Sequence, residues 1–371
     1  MKKSKNPASL SHRPRILVAP LDWGLGHSTR CIPIIKELIL QGCEVYIVAD
    51  KKRFYLLKKE FPDTVLLRYK GYEIEYSRQN RFLIFKLLFQ IPKVFLRVIA
   101  EKKWLEKIIE QNNIDAVVSD NRFGMYNKRI PSVYLTHQLY IKTGNQIVEQ
   151  IAQRIHYFFL KKFTACWVPD SKENGLAGEL SHPKKLPQNI TYIGPLSRFR
   201  KDSNEEKIYD LLIILSGPEP QRTIFENKIF ADLKTINANI FLIRGLPGET
   251  NKPKSLSNVL IENHLDAAEL NATIEKSKMV LCRSGYTSVM DLSVLKKKAI
   301  LVPTPGQTEQ EYLATYLMSK GYFFSMSQKE FSLKKAMEGA ASFNFNPPNI
   351  MPDFYKKTVD EFVLSLKSGS N

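Results

Sequence analysis

From residue 15 onward the chain alternates short apolar, β-rich runs with helix-like patterns: 15–20, 29–40, 43–50 and 51–60 follow one another with almost no loop between them. That rhythm is the mark of βαβ units, whose strands lie parallel in one sheet with helices packed on its faces. More strands are expected at 64–69, 114–120, 132–137, 166–170 and 191–194, with a helix over 146–161. Apolar periodicity then lapses in 195–207 (PLSRFRKDSNEEK), as it does in an exposed connection between domains. Beyond it the rhythm resumes, with strands expected at 210–216, 239–244, 259–262, 279–283, 299–303 and 322–326.

A length of 371 residues suits two cores better than one. The expected fold is therefore α/β, two Rossmann-like doubly wound domains facing each other across a cleft. The boundaries are a flexible basic N-terminus over 1–14, a first domain over 15–196, a linker over 197–208, a second domain over 209–345, and a C-terminal helix and tail over 346–371. The last helix, 354–366, is not needed by the second domain and is expected to cross back to the first. Ligands of open parallel sheets bind outside the carboxyl ends of the strands, so the chemistry is sought in the strand-to-helix loops.

Lys and Arg number 55 against 37 Asp and Glu, a net charge of +18, which calls for an anionic partner: nucleic acid, a phosphorylated substrate or acidic lipid. Nucleic acid is not expected, because the basic residues are spread along the chain and no binding module is visible. Cys31, Cys43, Cys166 and Cys282 lack metal-ligand spacing and read as buried thiols of a reducing compartment. The N-terminal residues are basic without the apolar stretch of a secretory signal, and no run is long enough to span a bilayer, so a cytoplasmic location is expected.

Three strand-to-helix turns carry candidate chemistry. In the first, Gly24, Gly26 and His27 follow the first strand. The glycines let backbone approach a ligand, and a neutral imidazole there can take a proton from an attacking hydroxyl. Equally, the glycines can make a plain turn with Ser28 or Thr29 as helix cap. In the second, Arg283, Ser284, Gly285, Tyr286, Thr287 and Ser288 offer hydroxyls beside the free amides of a new helix, suited to a diphosphate, and Asp291 one turn on can accept from ribose hydroxyls. A Ser or Thr cap with Asp291 as a first-turn charge fits the same residues. In the third, Glu309, Gln310 and Glu311 cluster acceptors in a first turn, able to hold sugar hydroxyls or, with Thr308 as cap, simply to complement the helix dipole.

These residues resemble the GT-B-fold glycosyltransferases, and within them glycosyltransferase family 28. The family's glycine-rich turn ending in histidine is similar to 24–27, and its second-domain signature resembles 280–285 followed by Tyr286, Thr287 and Ser288. Its ribose-binding glutamate falls on Asp291, and its paired glutamines fall on Gln310 and Glu311. The likeness also implies Leu265 against the uracil, and Ser216, Gly217 and Arg222 near the diphosphate. This chain departs from the pattern at Asp291, at Glu311 and in 216–220, where Pro218 and Pro220 remove backbone donors.

What the resemblance implies is a hexosyltransferase with no cofactor; inversion is expected from direct displacement by the acceptor hydroxyl, and metal independence from the lack of an Asp-x-Asp motif. It would take a UDP-sugar such as UDP-N-acetylglucosamine and a lipid-linked or glycan acceptor, with His27 as base. A nucleotide-sugar epimerase or hydrolase, or a binding protein without catalysis, are the competing readings. The segment 81–109 is apolar with Lys86, Lys93, Arg97, Lys102 and Lys103 interspersed, and suits either an anionic membrane surface or a pair of core helices that Pro92 kinks or divides.

Overall fold

The computed structural model, which describes residues 13–22, 24–69, 83–201 and 206–368, turns the alternation into two parallel sheets. Residues 1–12 of the basic N-terminus, 81 and 82 of the basic segment and 202–205 of the expected linker lie outside the described residues, as do the side chains of 83–94, Lys86 and Lys93 among them.

Among the described residues the first sheet holds β1 (Arg15–Ala19), β2 (Glu44–Ala49), β3 (Val65–Arg68), β4 (Ala116–Asp120), β5 (Ser132–Leu135), β6 (Ala165–Val168) and β7 (Ile190–Tyr192). Their order is β3-β2-β1-β4-β5-β6-β7, every pair parallel. The second holds β8 (Tyr209–Ile214), β9 (Ile240–Ile243), β10 (Val259–Glu262), β11 (Ser277–Cys282), β12 (Lys298–Leu301) and β13 (Phe324–Ser325), in the order β10-β9-β8-β11-β12-β13 and again parallel. In each sheet the first strand sits between the second and the fourth, as Ile16 paired with Val45 on one side and Ala116 on the other shows. The strand order reverses there, and the helices on either side diverge to leave a crevice at the carboxyl ends.

In the first domain the helices are α1 (Gly24–Leu40), α2 (Lys51–Glu60), α3 (Leu83–Asn112) and α4 (Gln146–Leu160). In the second they are α5 (Gln221–Leu233), α6 (Ala267–Glu275), α7 (Tyr286–Val294), α8 (Thr308–Ser319) and α9 (Leu333–Ser342), and α10 (Tyr355–Ser368) closes the chain. Two sequence expectations are corrected. The first helix begins at Gly24 rather than residue 29, so the glycine turn is itself the first helical turn, entered through Gly24 at φ +64°. Pro92 does not divide the basic segment, which runs as one helix from Leu83 to Asn112.

A single apolar core runs from β1 through α1 into α7 and α10: Ile16, Ile32, Ile35, Tyr286, Val289, Met290, Val359 and Val363 are all buried within it. Helix α10 lies against the first domain, its Phe362 ring edge-on to Trp167 at 5.4 Å and Lys367 donating to the carbonyl of Gln41. All four cysteines are buried and free.

Candidate active site

The two crevices face each other. The first domain contributes the β1–α1 turn and the ends of β4 and β5; the second contributes the turns leading into α5, α7 and α8.

At the first crevice His27 stands in the opening turn of α1, its side chain 18% exposed, with Nδ1 2.8 Å from Oδ2 of the fully buried Asp120 at the end of β4. Arg30, one turn further along the same helix, binds Asp120 Oδ1 through both Nε (3.0 Å) and Nη2, and also reaches His27 Nδ1 (2.8 Å) and His137 Nδ1 (3.2 Å). Burial and the Arg30 charge hold the His27 imidazole below the ordinary histidine range, against the pull of Asp120. For Asp120 burial acts the other way and is outweighed by Arg30 and His27, which keep it an anion. Arg53 fixes the turn from below: it donates to the carbonyls of Asp22 and Gly24 and pairs with Asp50 at 2.6 Å.

The helices of both domains differ in how their N-termini are capped. Side chains of Asp50, Asn145, Asp266 and Ser332 cap α2, α4, α6 and α9. No side chain caps α7 or α8, whereas at α5 the Glu219 carboxylate accepts from the amide of Thr223 at 3.2 Å. Capping therefore does not account for the hydroxyls of these turns. Ser284 Oγ donates instead to the carbonyl of Gln310 at 2.8 Å, joining the second turn to the third, and Thr308 Oγ1 donates to the carbonyl of Lys142 at 3.1 Å. Thr29 Oγ1 likewise donates to Gly26 within a helix already begun. An uncapped α7 leaves the amides of its first turn as free donors at the positive helix end.

The domains meet across the cleft. Thr287 Oγ1 donates to the carbonyl of Gly26 at 3.2 Å, and a Cβ on Gly26 would stand 3.0 Å from that hydroxyl. The Tyr286 ring stacks on His137 at 4.0 Å, and its hydroxyl donates to the carbonyl of Pro169. Glu309 receives His137 Nε2 at 2.8 Å and the Gln138 amide, both from the first domain. His27, Gly26, Tyr286, Thr287 and Glu309 thus form one cluster.

Other predicted residues lie apart from it. Asp291 turns toward the inter-domain connection, where Ser197 Oγ donates to it at 2.6 Å, and burial pushes its carboxyl up to about 6. Arg283 donates to the carbonyls of Val302, Pro303 and Gln221 and lies 4.2 Å over the Phe225 ring, with burial lowering it to about 10. Arg222 is bound by Glu219 and Glu226. Gln310 Oε1 accepts from the amide of Thr304, and Glu311 from that of Gly306. Ser216 and Gly217 are exposed in the β8–α5 turn beside Thr304, whose buried hydroxyl has no partner, and Leu265 packs half-buried on the core. Among the described residues no three His, Cys, Asp or Glu side chains gather as metal ligands do.

Asp120, His137, Arg30 and Thr304 were not among the residues expected from sequence. Asp120 and His137 close two of the expected strands, 114–120 and 132–137, and a polar residue ending an apolar run beside the strand-order reversal was the available signal.

Against known families, residues 224–354 match the model of the glycosyltransferase family 28 C-terminal domain. The match falls almost wholly within the second domain. That stretch carries the α7 and α8 turns described above. Over 332 residues, 84% of this chain and 86% of the relative, the chain is 24% identical to the UDP-N-acetylglucosamine–N-acetylmuramyl-(pentapeptide) pyrophosphoryl-undecaprenol N-acetylglucosamine transferase of Glaesserella parasuis. It is also 24% identical over 343 residues to an uncharacterized glycosyltransferase of Methanosarcina acetivorans, covering 84% of each chain. In fold it resembles the crystal structure of the glycotransferase of kitacinnamycin, with a TM-score of 0.65 at 14% identity over 96% of both chains. The chain is a glycosyltransferase of GT-B architecture.

Proposed function

We propose that this glycosyltransferase moves a hexose from a UDP-sugar, with UDP-N-acetylglucosamine the first candidate, to a hydroxyl of a lipid-linked or cell-envelope glycan, with inversion and without a metal or cofactor. The observation that carries the reading is the His27–Asp120 pair set against the uncapped start of α7. With Nδ1–H donating to Asp120, Nε2 takes the proton of the acceptor hydroxyl. That oxygen attacks the anomeric carbon, and the bond from that carbon to the diphosphate oxygen breaks with its electron pair. The nucleoside diphosphate leaves toward the α7 amides and the hydroxyl of Ser288, joined by that of Thr287 once it releases the Gly26 carbonyl, donors for its growing charge. Asp291 binds the ribose once Ser197 releases it, and Gln310 and Glu311 serve the donor sugar.

A cavity of about 450 Å³ between the domains suits a glycan acceptor, since Tyr140, Lys142, Glu149, Glu179, Thr308 and Glu311 bring donors and acceptors to its wall. An acceptor on a lipid fits the outer face of the first domain. There Phe95, Leu96 and Ile99 of α3 and Ile147, Ile151 and Phe158 of α4 are exposed, in company with the exposed Lys103, Arg154, Lys161 and Lys162. No described helix is long and apolar enough to cross a membrane, so the contact proposed is peripheral, on the inner face of the cytoplasmic membrane.

The test is a nucleotide-sugar screen by thermal shift, followed by transfer assays with a chelator present. A UDP-sugar is expected to raise the melting temperature and product to form only when acceptor is added. His27→Ala is expected to cut turnover by about 100-fold or more while leaving donor affinity intact. Normal turnover in that variant would remove His27 as the base, and a new sugar formed from donor alone would replace transfer by epimerisation or hydrolysis.

A further inference from the structure

Arg30 is 2% exposed and touches three titratable side chains, two of which border the cleft from other elements. A guanidinium only donates, so each contact fixes a proton on the other side. His137 Nδ1, facing Arg30 Nη1 at 3.2 Å, must accept; its proton is then on Nε2, which donates to Glu309 of the second domain.

His27 Nδ1 is offered a choice. Both Asp120 Oδ2 and Arg30 Nη2 stand 2.8 Å from it, and the two bonds need opposite tautomers. If Nδ1 accepted from Arg30, the proton would sit on Nε2 and the ring would have no lone pair for an acceptor hydroxyl. Asp120 Oδ2, fully buried, would also lose its nitrogen donor, keeping only the weakly donating Cys31 thiol near the carboxylate. If Nδ1 donates to Oδ2, Arg30 still has Oδ1 for Nε and Nη2, and every group is satisfied.

We propose that Arg30 is a positioning residue for the transfer reaction: its grip on Asp120 Oδ1 reserves Oδ2 for the His27 Nδ1 proton, and its charge keeps the imidazole neutral with the lone pair on Nε2. The inference rests on His27 acting as the base. The groups facing the imidazole are Arg30 and Cys31 of α1, Asp120 from the end of β4, His137 from beyond β5 and Glu309 from α8. Of these Arg30 is the fixed cation, and it opposes a second positive charge on His27.

Histidine ¹⁵N NMR titration of the full chain, wild type against Arg30→Gln and Arg30→Lys, tests this without any substrate. In wild type His27 is expected as the Nδ1–H tautomer. In Arg30→Gln, with Asp120 left uncompensated, its midpoint is expected to rise by about one pH unit, and the acid limb of turnover to move with it at unchanged donor affinity. Arg30→Lys keeps the charge but not the fork, so the limb should stay while turnover falls at every pH. An Nε2–H tautomer in wild type, or a midpoint in Arg30→Gln that does not rise, overturns the proposal. Should Arg30→Gln fail to fold, the wild-type tautomer and the Arg30→Lys profile decide. A shifted midpoint in a protein that transfers nothing to any acceptor would sink the function proposed for His27 and with it the positioning role, leaving Arg30 only its control of the His27 tautomer.

Discussion

Asp291 shows how one side chain can serve two states. A carboxylate in the core is poorly solvated, and the hydrogen bond from Ser197 and the nearby Arg198 charge only partly offset that, so the group titrates near 6 instead of in the usual carboxylate range. A folded value above the unfolded one means that the native state holds the proton more tightly. The resulting stabilisation is present below the unfolded value, near 4, and is lost as pH rises through about 6. The loss is at most about 3 kcal/mol, two units at 1.36 kcal/mol each. Asp291→Asn, neutral at every pH, is expected to melt at nearly the same temperature at pH 5 and pH 8, where wild type is expected to lose several degrees over that range. Equal pH dependence in the two proteins would place the titration elsewhere.

Among the elements, the loop from Asp170 to Ser181 is one that joins the domains. The buried Asp170 carboxylate gathers it by accepting from the amides of Ser171, Leu176 and Ala177 and from the Ser181 hydroxyl. So shaped, the loop docks on α8: Tyr312 accepts from the amide of Glu179, and Tyr316 donates to the carbonyl of Gly175. Gly178 makes the approach possible, since its φ is +52° and a Cβ would stand 2.5 Å from the Tyr312 hydroxyl. Gly178→Ala is expected to cost about 1–2 kcal/mol for the left-handed backbone alone and to push α8 away. Small-angle scattering should then report a wider average cleft, and an unchanged curve would show that this loop does not hold the domains together. Closure of this kind was not legible in the sequence, whereas the βαβ rhythm was, because alternation is local and the cleft is not. His27 and Asp120 are 93 residues apart, and His137 and Glu309 are 172 apart. The start of α1 was missed for a local reason: two glycines beside a strand end read as a turn, and only the backbone geometry at Gly24 reveals a helix already under way.

At the scale of the whole molecule, an excess of 18 positive charges has to be reconciled with arginines around the cleft that are held by carboxylates or, at Arg283, by carbonyls. Arg30, Arg53, Arg222 and Arg244 are each bound to a carboxylate, so these cations add little outward field. The lysines and arginines left over lie mostly on the outside. On α3 and α4 they accompany an apolar patch in which Phe95 lies 5.6 Å from Phe159, tying the two helices side by side. Apolar side chains entering an interface and cations meeting lipid phosphates act together, each basic residue adding about 1 kcal/mol near an anionic surface. The protein is expected to pellet with vesicles containing phosphatidylglycerol and not with phosphatidylcholine alone, and to be released progressively by salt as the charges are screened. Leu96→Glu with Phe158→Glu should abolish pelleting without altering donor binding, because neither side chain lies near α7. Pelleting that survives both substitutions would move the membrane contact to another face of the molecule.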